Sequence, residues 1–209
     1  NWTPRLILYV AVQGSSSLLI YPVLTGMSTF LSYRGLGSAT LTGIVGSIYT
    51  FAGVIMGSIA PKLNSSLKRF MVPVMYCMSA AAGLLLILTA RGPIAICLGC
   101  FLSGVSSYSL LPTITMYENL EADEGSIPVV TSVTWAVNNL ALFLSSYVIT
   151  FADRVLSFVD SSDAGRCYMF SMAVFAAMAL LFTIVDIRPE KLKQKQSGKV
   201  PAFYKELMD

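Results

Sequence analysis

Gln13, Ser17 and Tyr21 recur every four residues, Ser103 and Ser107 share the same spacing, and Asn138 follows Trp135 by three. Side chains four apart lie on one face of a helix, so the first two sets draw polar lines along otherwise apolar segments. The chemistry open to them is hydrogen bonding without charge. They either line a cavity that receives a small polar solute or bond between helices, at about 0.6 kcal/mol per bond in a membrane. Both readings stand for the residues of the first and fourth helices. An interhelical bond is favoured for Asn138 and Asn139, which lie on different faces, so at most one of the two reaches a cavity.

Other chemistry finds little support. The chain has no His, and no phosphate-binding glycine loop, G-x-S-x-G or metal-ligand cluster is visible, so neither an enzyme nor a metal or other cofactor is expected. Cys77, Cys97 and Cys100 lie inside apolar segments, the last two as C-x-x-C, and only Cys167 approaches a membrane surface; they read as small packing residues rather than a disulfide or metal framework. No helix centre carries an ionisable side chain. Glu118 and Arg34 fall at opposite edges of the apolar region and read as solvated interface residues, which places any ion-coupling group outside this chain.

The elements that must position these side chains are membrane spans. With 55% hydrophobic and 12% charged residues in 209 and a mean hydropathy of +0.70, the chain lies far from soluble domains, which carry about 25% charge. Six runs approach or exceed the roughly 20 residues a bilayer requires: 5–33, 38–60, 70–90, 94–117, 127–152 and 167–187. Residues 1–188 thus read as one six-helix bundle and 189–209 as a basic tail. Arg5, Lys62, Lys68, Arg69 and the six basic residues from Arg188 onward fall on the face that carries both termini, against Arg34, Arg91, Arg154 and Arg166 on the other. That bias predicts cytoplasmic termini in a cell membrane. The tail reads as a topology anchor ahead of an anionic-lipid segment, and the net charge of +3 carries no nucleic-acid motif. An apolar run that begins at once, without Met, reads as a piece of a longer protein.

The first and fourth helices also share a pattern. Gly14-Ser15-Ser16-Ser17 precedes Pro22, and Gly104-Val105-Ser106-Ser107 precedes Pro112, each proline eight residues after its glycine. This predicts a three-plus-three inverted repeat. The second helix (Gly43, Gly46, Gly53, Gly57) and the fifth (Thr131, Thr134, Trp135, Asn138) read as interface helices, and the third and sixth, with runs such as Leu84-Leu85-Leu86, as lipid-facing.

Cavity, interface and lipid-facing helices in that order, twice over with termini inside, resemble one six-helix half of the major facilitator superfamily. That family's signature after the second helix, G-x-x-x-D-[RK]-x-G-[RK]-[RK], is matched by Gly57, Lys62, Lys68 and Arg69. Pro61 stands for the Asp, Asn64 for the Gly, and extra residues precede the basic pair. The decayed motif and the lysine-rich end resemble a carboxyl-terminal half. The resemblance implies a bacterial-type secondary transporter that moves a small organic solute by alternating access. It also implies a second six-helix half as partner and a central site drawn from Gln13, Ser17, Tyr21, Ser103, Ser107, Trp135 and Asn138. The alternative is a six-helix membrane scaffold or receptor-like subunit that transports nothing.

Overall fold

The computed structural model describes residues 2–88 and 92–196, and contains helices, turns and no strand among them. Arg91 and the tail from 197 on, including Lys199 and Lys205, lie outside the described residues.

The helices are α1 (Pro4–Thr25), α2 (Met27–Tyr33), α3 (Ala39–Leu67), α4 (Met71–Leu88), α5 (Pro93–Glu121), α6 (Ile127–Val155), α7 (Asp163–Ile184) and the short α8 (Glu190–Gln196). Five stretches among the described residues are long and apolar enough to cross a bilayer: Pro4–Thr25, Ala39–Leu86, Pro93–Glu121, Ile127–Val155 and Asp163–Ile184. The second, at 48 residues, is over twice the length a bilayer accommodates, and it contains the fold-back between α3 and α4.

Local chemistry sets the boundaries. Thr3 caps α1 by accepting from the Leu6 N–H, Ser38 caps α3 through Leu41, and Ser162 caps α7 through Gly165 at 3.0 Å. That last cap starts α7 at Asp163, four residues before the start expected from hydropathy alone. The first span, expected to run 5–33, breaks at Gly26. Pro22 removes one backbone donor inside α1, the Gly26 N–H bonds back to the Pro22 carbonyl at 2.8 Å, and a Cβ at Gly26 would lie 3.0 Å from the Ala164 Cβ. The second span, expected to stop at Ala60, instead passes through Pro61 and ends at Leu67. Pro61 is exposed, so the carbonyl it leaves unpaired opens outward rather than into the bundle. Lys68 then turns the chain with φ +50°, a conformation rare for a residue with a side chain.

Contacts give the direction of each pass. α1 and α6 run parallel, Leu6 meeting Val130 in one cluster and Ser17 meeting Asn138 farther along. α3 and α5 also run parallel: Tyr49 and Ala52 lie against Gly104, Gly53 against Tyr108, and Asn64 against Met116. α4 is antiparallel to both its neighbours, with Leu86 against Gly99 and Ser79 against Ser106 on α5, and Gly83 against Met172 and Tyr76 against Phe182 on α7. α7 descends along α1, the Tyr168 hydroxyl donating to the Val23 carbonyl at 3.0 Å and the Tyr9 hydroxyl to Ile187 at 2.7 Å. The described residues therefore make six alternating helical passes, and both described ends lie together, joined by the Arg5–Glu190 ion pair at 2.8 Å. At that end the Arg188 guanidinium bonds the Asp186 carboxylate and holds it below the usual carboxylate range, while Arg188 itself is raised.

The main core, centred on Tyr9, Tyr76, Tyr117 and Phe175, lies where α1, α4, α5 and α7 converge. This corrects one expectation. α4 does not face lipid along its length: Met71, Val72, Met75, Tyr76, Ser79, Ala82 and Leu86 are buried between α5 and α7, and Cys77, Ala81 and Leu84 form its narrow outer strip. α3 and α6 are instead the helices most open to the outside, presenting Ile44, Phe51 and Val54, and Trp135, Phe143 and Tyr147.

Candidate functional site

Where α1, α5 and α6 meet, helical spacing stacks three rungs of side chains. The outermost, nearest the chain ends, is apolar: Leu6, Ala122 and Val130 pack as one small cluster. One turn inward on each helix, the positions are Val10, Glu118 and Thr134, and the Thr134 hydroxyl donates to Glu118 Oε2 at 3.0 Å. One turn beyond Thr134 and two turns beyond Val10, Asn138 and Ser17 come together, the Ser17 hydroxyl donating to Asn138 Oδ1 at 2.6 Å. Gln13, one turn before Ser17, lies between the two polar rungs with its Cα–Cβ bond tilted toward the Glu118 level. Close approach of the helices makes this column possible, since a Cβ on Gly14 would lie 2.5 Å from Val137 Cγ1.

Three residues singled out by spacing, Gln13, Ser17 and Asn138, thus come together, and all are buried. The others are dispersed. Ser103 faces the α4–α7 side and lines a void of about 10 Å³ with Ser79, Tyr168 and Ser171, room for about one water. Ser107 donates to the Ser103 carbonyl of its own helix at 2.7 Å and interacts with the Tyr49 phenol across the α3–α5 crossing. Tyr21 is half-buried on the outward side of α1. Trp135, three residues from Asn138, turns away from the column and is 58% exposed, and Asn139 is exposed too.

Glu118 is the residue that spacing arguments misplaced. Ending the fourth span at Tyr117 made it a solvated edge group, whereas α5 continues to Glu121 and Glu118 is 0% exposed. Its position four residues after the buried Ile114, on the stripe that includes Leu110, was the available signal. Its Oε1 and the Oε1 of Gln13 are buried without a hydrogen-bond partner.

The loop residues form a second locality. Gly57 is exposed on α3 with open space where its side chain would be, and Lys62 is exposed one turn before the end of that helix. Lys68 and Arg69 join Arg188 and Lys193 around an open groove of about 450 Å³ at the end where both described ends of the chain lie. Arg69 also lies over the Phe70 ring at 4.7 Å.

No family model, curated protein or solved structure matches the chain. The class that fold and composition define is a membrane-embedded, multi-pass α-helical protein.

Proposed function

We propose that the chain is one six-helix half of an alternating-access transporter of the major facilitator type, the carboxyl-terminal half, carrying a small organic solute across a bacterial cell membrane with both termini cytoplasmic. The observation that carries this reading is a repeated crossing. α1 meets α6 at Gly14, and α5 meets α3 at Gly104, where a Cβ would lie 2.5 Å from Val137 Cγ1 and from the Tyr49 carbonyl respectively. Both glycines belong to the Gly-to-Pro pattern, and exchanging the first three passes with the last three maps α1–α6 onto α5–α3 and α4–α7 onto itself. That relation is what a three-plus-three inverted repeat requires. The open faces of α3 and α6 supply the surface for a second six-helix half, and aromatic and aliphatic side chains there would otherwise meet lipid.

The buried column narrows the substrate surface. Gln13 and Ser17 are closed inside this half, so the solute-facing side of α1 falls to Ser15, Tyr21 and Thr25, with Tyr108 and Thr115 on α5. Closure of Gln13 and Ser17 also favours the competing reading, a scaffold whose polar faces are packed shut.

The two readings separate in the complete gene product. With native cysteines removed, single cysteines at Ser15, Tyr21 and Thr115 are reacted with a membrane-impermeant maleimide from each side, beside uptake of labelled sugars, amino acids and organic acids into proteoliposomes. The transporter reading expects saturable uptake of one solute class, with that solute raising labelling from one side and lowering it from the other. Uniform labelling without flux of any solute in correctly inserted protein would sink it.

A further inference from the structure

The junction of α1, α5 and α6 holds two oxygen acceptors that no donor meets. Glu118 Oε2 accepts from Thr134, whereas Glu118 Oε1 and Gln13 Oε1 are both buried and unpartnered. Glu118 lies one turn inward from Ala122 and Thr134 one turn inward from Val130, and Gln13, one turn outward from Ser17, lies between the two polar rungs with its Cα–Cβ bond tilted toward the Glu118 level. A buried acceptor left without a donor costs about 1–3 kcal/mol, and a buried carboxylate without a counter-ion costs several.

The surroundings offer no compensating cation among the described residues. On α1, Arg5 is turned to Glu190 at the surface and Tyr9 donates to the Ile187 carbonyl. On α5 itself, Tyr117 packs on Tyr9 and Glu121 accepts from Thr3 at 3.4 Å. α6 presents Val130, Thr134 and Asn138, none of them titratable. Arg188, beyond the junction, is bound to Asp186.

We propose that Glu118 is a proton-exchange site: in the acid form its Oε1–H donates to Gln13 Oε1, and loss of the proton breaks that bond and loosens α5 from α1. One proton supplies what the junction lacks, because a carboxylic acid is a donor at one oxygen and an acceptor at the other. The proton leaves to water at the end where both described chain ends lie, across the single apolar rung of Leu6, Ala122 and Val130, which is about 5 Å thick. The carboxylate left behind cannot stay in a dry junction, so deprotonation and parting of that rung occur together. A proton site on the described chain replaces the expectation that any coupling group lies elsewhere. Only its link to solute movement rests on the transport reading.

The test uses infrared difference spectra of the full-length protein in lipid bilayers, recorded as buffer pH is stepped. A carbonyl band of a protonated carboxyl should disappear with rising pH in wild type, be absent from E118Q, and shift in Gln13→Leu. E118Q should fold, since its amide N–H₂ can donate to Gln13 Oε1. If E118Q fails to fold, the Gln13→Leu band decides, and an unshifted band overturns the proposal. Identical spectra for wild type and E118Q would also overturn it, as would a band abolished when sodium replaces potassium, which assigns the charge to a metal ion. An intact band without uptake of any solute strikes the transport reading alone, and an intact band with uptake indifferent to an imposed pH gradient removes the coupling.

Discussion

At Gly14, α1 approaches α6 against the tip of the Val137 side chain; at Gly104, α5 approaches α3 against the Tyr49 backbone carbonyl and the Ala52 methyl. The two crossings share direction, glycine position and partner rank in the chain, yet one is filled with Ser17, Asn138, Gln13, Thr134 and Glu118 and the other with Tyr49, Ala52, Gly53 and Tyr108. The two crossings are alike in backbone approach and differ in side-chain chemistry. The polar crossing encloses a carboxyl group, and the aromatic crossing encloses none among the described residues. If the two halves of the bundle move differently, the difference starts here.

The largest effect expected from breaking the comparison is at Gly104. Gly104→Ala would place a Cβ 2.5 Å from a backbone oxygen and 2.8 Å from the Ala52 methyl, neither of which can rotate away. Overpacking of this kind costs about 3 kcal/mol, and alanine returns at most about 1 kcal/mol of helix propensity, for a net loss of roughly 2 kcal/mol. Gly14→Ala meets only Val137 Cγ1, which a rotamer change can withdraw, so the overpacking term falls to about 1 kcal/mol and the net change is near zero. Thermal unfolding in a mild detergent ranks the two. Equal losses would mean that the side-chain and backbone obstacles are equivalent and that the crossings are more alike than their contacts indicate.

Next in size is Asn138→Leu, which tests whether polarity holds the α1–α6 crossing together. It strands the buried Ser17 hydroxyl and introduces a branched side chain at a close approach. The loss should approach the upper end for interhelical bonds in membranes, about 1.7 kcal/mol. A stabilised variant would show that apolar packing serves this crossing as well as it serves α3–α5, and that the polar column is kept for something other than stability.

How much of this was legible from residues alone divides along the same line. Spans, end chemistry and the i, i+4 alignment of Gln13 with Ser17 follow from hydropathy and helical periodicity, which are local. Asn138 could be placed on a polar helix face, but its partner depends on which helix crosses at Gly14. Glu118 was misplaced because hydropathy ends a span where charge appears, whereas burial is decided by the neighbouring helices. Ala122 and the turn Glu124–Ser126 bring α6 back over Glu118, and no property of residues 117–121 taken alone reports that. Trp135 erred the other way: nearness in sequence to Asn138 did not carry it onto the same face. The exposure of α3 and α6, and burial of α4, likewise depend on how six helices share neighbours rather than on the composition of any one.

The smallest expected effect separates the crossings at equivalent positions, since Ser17 and Ser107 each follow their glycine by three. Ser17→Ala removes the donor to Asn138 and leaves a buried amide oxygen with one bond fewer, a loss of about 0.6 kcal/mol. Ser107→Ala removes a bond to the carbonyl of Ser103 on its own helix; that carbonyl keeps its helical N–H partner, and alanine favours the helix, so the change should be within about 0.3 kcal/mol of zero. The double variant should lose the sum, because the two sites share no partner. A loss for Ser107→Ala equal to that for Ser17→Ala would mean that its contact with the Tyr49 phenol holds α5 to α3 as firmly as the amide holds α1 to α6. The aromatic crossing would then be a hydrogen-bonded seam as well, and the two crossings would differ chiefly in carrying, or lacking, a carboxyl group.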